Sequence, residues 1–116
     1  MRDPDLCRVE GALLGYEVAN RAHMTGGKRA VVVQLDLWRD RLARSRCFDG
    51  CEVELDDGSV IVDARIAYAE AAIGALELSL SRFAAGLNTF GEVRALRITR
   101  DGLRSLWGRA RHAANV

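Results

Sequence analysis

Three cysteines and two histidines are the residues best suited to metal or thiol chemistry: Cys7, Cys47, Cys51, His23 and His112. Thiolate and imidazole donors could together close a tetrahedral zinc site. Cys47 and Cys51, however, form Cys-x3-Cys, not the Cys-x2-Cys common in structural zinc sites and expected of thioredoxin-like redox pairs. The other three donors are spread over distant segments. Small buried or edge thiols are therefore the preferred reading, with no metal site and no cofactor. His23 would need Cys7 or Glu17 beside it to act as a general base, and no Ser/His/Asp or Cys/His spacing specifies such a group. An enzyme built on these residues requires a cavity joining His23, Trp38, Cys47 and an acidic side chain. Gly26-Gly27-Lys28 lacks the earlier glycine and the following Ser or Thr of a phosphate-binding loop. No catalytic residue is assigned.

Carboxylates offer a second chemistry. Asp63 and Arg65 resemble a degenerate form of the Glu-x-Lys pair of restriction-like nucleases, with Glu54 on the preceding strand and Glu17 in the first helix. Such a site holds divalent ions and activates water. Arginine in place of lysine removes the group whose pKa is readily tuned for proton transfer, and the same side chains serve equally well as a solvated strand face. The C-terminal arginines are the stronger lead. Arg97, Arg100, Arg104 and Arg111, with Arg94 and Arg109 beside them, could grip phosphates bidentately.

The elements that would position these residues can be read from spacing. Asp3 suits an N-cap and Pro4 the first helical position. Leu6, Val9, Leu13 and Tyr16 repeat at helical intervals, and Gly26-Gly27 is a stop, so a helix is expected over 4–24. Gly11 and Gly15 weaken its interior, each by up to about 1 kcal/mol against alanine. Residues 30–35, Ala-Val-Val-Val-Gln-Leu, are dense in β-branched side chains and read as a strand. Asp36 then caps a short helix with Leu37, Trp38, Leu42 and Ala43 inward; alternatively the strand continues through Leu37.

Residues 51–55 alternate, Asp56-Asp57-Gly58-Ser59 is a turn, and 60–66 return, which describes a half-buried hairpin with an acidic outer face. Ile66, Ala69, Ile73, Leu76, Leu80, Phe83 and Leu87 then form an inward stripe on a helix over 67–87, flanked by Ala71, Ala75, Leu78 and Ala85. Val93, Ala95, Leu96 and Ile98 read as a strand, and a terminal helix with Leu103, Leu106, Trp107 and Ala110 inward closes the chain. The expected fold is therefore α+β: a compact helix-on-sheet domain spanning 1–116, its central order matching a ferredoxin-like βαββαβ core with additional N- and C-terminal helices. That fold hosts many unrelated functions and names none.

A chain of 116 residues, 49% hydrophobic and 28% charged, suits one globular domain. No run of 18 apolar residues and no secretory leader pattern appear, so a membrane role is not expected, and unpaired thiols fit the cytoplasm. The net charge of +1 conceals an uneven layout. Residues 1–48 carry nine basic and six acidic groups, residues 49–90 two and eight, and residues 91–116 six and two. An acidic middle thus separates two basic ends.

The resulting expectation is a small non-catalytic protein-interaction module that self-associates or binds a protein partner. The apolar coverage of helix 67–87 is wider than one small sheet can bury. The expected contact residues are Ala71, Ala75, Leu78, Arg104 and Arg109, with charge complementarity between the hairpin and the C-terminal segment orienting the partner. The alternative is a nucleic-acid-binding protein using Arg97, Arg100, Arg104 and Arg111; a small enzyme with a His/Cys or carboxylate site is the third.

Overall fold

A computed structural model describes the backbone of residues 4–46, 52–54, 60–62 and 64–114, and the side chains of 5–44 and 65–106. The chain is helical. Helix α1 spans Pro4–Arg46, α2 Ala64–Ala84 and α3 Phe90–Ala114. The only strand pairing among the described residues is a two-stranded ribbon, β1 (Glu52–Glu54) antiparallel to β2 (Val60–Val62), with Val53 opposite Ile61. The Asp57-Gly58 turn lies outside the described residues. The α+β expectation, with a helix-on-sheet or ferredoxin-like core, is therefore wrong.

Both of the remaining expected strands are helical. At 30–35, β-branched propensity is overruled by tertiary packing. Val31, Leu35, Trp38 and Leu42 recur at four, three and four residues, and Val31 and Leu35 are buried against Ile73 and Leu76. Strand propensity spans only about 1 kcal/mol, less than the roughly 1.5–3 kcal/mol from burying one such side chain. Residues 93–98 run inside α3, where Val93, Leu96, Arg100 and Leu103 share the partly covered face. Asn88 starts that helix by accepting the Phe90 N–H at 3.1 Å, and the Thr89 carbonyl accepts the first helical bond from Val93.

Gly27 divides α1 into two arms, 4–26 and 28–46. Its φ of 67° and ψ of −159° fall in a region open essentially to glycine alone. The Thr25 hydroxyl donates to the Arg21 and Ala22 carbonyls at the end of the first arm. The second arm folds back, so that Ala19, Val31 and Leu35 share one core. In a straight helix Ala19 and Leu35 would be about 24 Å apart.

Helix α2 runs parallel to the first arm. Gly11 lies against the Tyr68 backbone, Gly15 against Ala72 and Ala75, and His23 stacks on Phe83 with ring centroids 4.1 Å apart. The second arm runs antiparallel to α2: Trp38 meets Tyr68 near the α2 start, and the Gly27 end lies toward Phe83. Gly86, at φ 74°, ends α2 in a Schellman motif, with Leu87 N–H donating to the Arg82 carbonyl and Gly86 N–H to that of Phe83. Helix α3 returns along the first arm, pairing Thr89 with Asn20 and Arg104 with Glu10. The four helical segments thus alternate up, down, up and down, with α3 packed chiefly on the first arm.

Much of the apolar coverage of α2 is taken up inside the chain, while Leu78 and the following Leu87 are 40 and 55% exposed. One side, with Ile73 and Leu76, meets the second arm, and the other, with Ala72, Ala75 and Ser79, meets the first. Width of coverage on α2 therefore does not point to an outside partner.

Candidate functional site

Polar groups converge where the first arm, the end of α2 and the start of α3 meet. Thr89 is fully buried and its hydroxyl donates to Asn20 Oδ1 at 3.3 Å. Arg82 of α2 pairs with Glu92 of α3, both partly buried. Tyr16 is buried beside them, and desolvation, reinforced by the Glu92 carboxylate and opposed by Arg82, pushes its phenol above the usual value of 10.0. His23 Nδ1 and Arg82 Nε are buried atoms with no hydrogen-bond partner among the described residues. This cluster locks α3 onto the bundle. None of the three clefts described below is lined by Tyr16, His23 or Arg82.

The residues required for a His/Cys enzyme are not brought together. His23 stacks on Phe83 and Trp38 packs against Tyr68, which places them about 22 Å apart along α2. Cys47, Cys51 and His112 lie outside the described side chains; Cys7 is a buried thiol outside any disulfide. Among the described residues no three His, Cys, Asp or Glu side chains gather as metal ligands. The nuclease-like set also lacks its scaffold, because the first of the three strands it needs, residues 30–35, is helical. Glu17 is engaged by Arg21 at 2.6 Å, Arg65 is exposed at the start of α2, and the side chains of Glu54 and Asp63 lie outside the described residues.

Of the expected contact strip, Ala75 is buried against Gly15, Ala71 is half-buried and Leu78 is 40% exposed. Arg104 is held by Glu10 of the first arm at 2.8 Å, and the side chains of the acidic hairpin lie outside the described residues. The side chains of Arg109 and Arg111 lie outside the described residues. Arg100 contacts Asp101 at 3.2 Å, while Arg94 and Arg97 make no ion pair among the described residues.

A broader apolar surface lies on the second arm. Val32, Val33 and Leu37 are 42, 52 and 56% exposed. Ala30, Val33 and Gln34 form one wall of a cleft of about 530 Å³, and Val18, Arg21, Ala22 and Thr25 of the first arm form the other. Sequence reading missed this face because it assigned residues 30–35 to a strand. Its helical spacing, with Ala30, Val33 and Leu37 at three and four residues, was nonetheless available.

Two further clefts adjoin between the first arm and α3. One, of about 510 Å³, is lined by Asn20, Phe90, Val93, Arg94, Arg97, Ile98 and Asp101. The other, of about 230 Å³, shares Asn20, Val93 and Arg97 and adds Leu13, Glu17 and Arg100. No family model, curated protein or solved structure matches this chain. No helix among the described residues is long and apolar enough to cross a membrane.

Proposed function

We propose that the chain is a non-catalytic, cytoplasmic interaction module that self-associates through the outward face of its second arm. The observation that carries this reading is the exposure of Val32, Val33 and Leu37 on one short helical stretch, beside a cleft walled by Val18, Ala22 and Ala30. Contiguous apolar surface of this kind marks association sites.

Size supports it. The chain exposes 7970 Å², against about 6,200 Å² for a folded monomer of its mass. Its radius of gyration is 16.3 Å, against about 13.4 Å for a compact domain of this length. The excess is about twice the roughly 800 Å² per partner that a standard interface removes.

Charge order supports a second copy as the partner. Lys28 and Arg29 lie at the Gly27 end of the arm with no ion pair among the described residues, while Asp36 and Asp40 flank Leu37 and are paired within the arm with Arg39 at 4.0 Å and Arg44 at 2.5 Å. Two arms crossing antiparallel about a two-fold axis, with Val33 and Leu37 central, would let Lys28 and Arg29 of one copy share Asp36 and Asp40 of the other with Arg39 and Arg44.

Sedimentation equilibrium or native mass measurement tests this reading. The wild type is expected to be dimeric at tens of micromolar, and Val33→Lys with Leu37→Glu monomeric with unchanged helical circular dichroism. A wild type that stays monomeric at about 200 μM overturns it.

A further inference from the structure

We infer that the paired clefts between the first arm and α3 form a binding site for nucleoside phosphates, with Arg94 and Arg97 holding phosphate and Phe90 stacking on the base. This site lies on α3 and does not depend on the self-association face.

Charge neutralisation within the clefts is incomplete in a specific place. Five ionised side chains line them: Arg94, Arg97, Arg100, Glu17 and Asp101. Asp101 is taken by Arg100 at 3.2 Å and Glu17 by Arg21 at 2.6 Å. Arg94 and Arg97 remain, three residues apart on α3 and therefore neighbours on its surface. Both are exposed and both lack an ion-pair partner among the described residues. Two adjacent guanidinium groups present the planar donor geometry that phosphate oxygens accept bidentately.

The remaining lining is the wrong chemistry for a bare inorganic anion and the right one for a base. Phe90 is 70% exposed at the start of α3 and lines the larger cleft. Val93 and Ile98 extend its apolar surface. Asn20 Oδ1 accepts from Thr89, which fixes the amide and leaves its NH₂ as a donor without a partner among the described residues. Cationic groups beside an exposed aromatic ring and an amide are the components of single-stranded nucleic-acid and nucleotide sites. The alternative set of Arg97, Arg100, Arg104 and Arg111 is thereby redrawn: Arg100 and Arg104 are bound to carboxylates of the chain itself, and Arg94 takes their place.

Calorimetric or fluorescence titration of the full chain at 50 mM salt decides the matter, using inorganic phosphate, a nucleoside monophosphate and triphosphate, a 12-nucleotide single strand and polyglutamate of matched charge. The nucleotides or the strand are expected to bind at least tenfold more tightly than phosphate. A strand much tighter than mononucleotides identifies nucleic acid as the source of the ligand; equal affinities identify free nucleotide.

Arg94→Ala with Arg97→Ala should lower affinity at least tenfold. For the strand, it should also flatten the salt dependence by about 1.4, two phosphates at about 0.7 each. Phe90→Ala should weaken nucleotide and strand but not phosphate. Because these side chains are exposed, circular dichroism should remain that of the wild type. Polyglutamate binding as tightly as the strand, or an unchanged affinity in the double-arginine variant, overturns the inference.

Discussion

A Cβ built on Gly15 would stand 2.5 Å from the carbonyl oxygen of Ala72, and one on Gly11 would collide with the carbonyl of Tyr68. These glycines, four residues apart, let the first arm and α2 approach backbone to backbone. The helix propensity lost at each position, up to about 1 kcal/mol, is offset by a contact that no side chain would permit.

Gly15→Ala should therefore destabilise the fold despite its gain in propensity. Overpacking against an unyielding backbone costs about 1–3 kcal/mol. Gly74 is the internal control: it is on α2, exposed, with nothing within 4 Å of an added Cβ. Gly74→Ala should stabilise by up to about 1 kcal/mol. Urea denaturation of the two variants would give shifts of opposite sign; equal shifts would remove the close approach.

Gly27 is the hinge of the helical hairpin. An alanine there must hold φ near 67° with ψ near −159° or abandon the turn. The strain is on the order of 1–3 kcal/mol, and relief comes from straightening α1. Small-angle scattering of Gly27→Ala at low concentration should show a radius of gyration above 16.3 Å, together with a lower midpoint of thermal unfolding. An unchanged radius and midpoint would show that the arms do not depend on this residue.

Tyr16 should make stability fall in alkali. Its phenol is raised above 10.0 by burial first and by Glu92 second. The folded state then holds the proton where the unfolded chain releases it. The contribution is complete below about pH 10 and is lost as pH climbs through the folded-state value. Tyr16→Phe should remove that component while leaving the neutral-pH midpoint within about 1 kcal/mol. Denaturation at pH 8 and pH 11 measures it, and an identical alkaline loss in both proteins would assign the effect elsewhere.

Some of the architecture is written locally. The Pro4 helix start, the stop at Gly26-Gly27 and the inward row of Ile66, Ala69, Ile73 and Leu76 depend on residues within a few turns of one another, and each stands where local rules place it. The strand segments 52–54 and 60–62 likewise fall within the alternating runs. Candidate chemistry was less legible. Arg97 was visible as a basic residue, but only the Glu17–Arg21 and Arg100–Asp101 pairs show which arginines remain uncommitted.

Tertiary packing decided the rest. Val31-Val32-Val33 carries a strand preference on its own, and becomes helical because Val31 and Leu35 reach Ile73 and Leu76 only at helical spacing. Gly11 and Gly15 read by themselves as defects in a helix. Their role appears only when Tyr68 and Ala72, on another helix, are brought against them. Composition and periodicity determined the start of the first helix, its break at Gly26-Gly27 and the inward row of α2. Which helices touch, and hence whether the core is a sheet or a bundle, depended on contacts between segments far apart in the chain, whose burial energy outweighs the small local preferences that sequence spacing records.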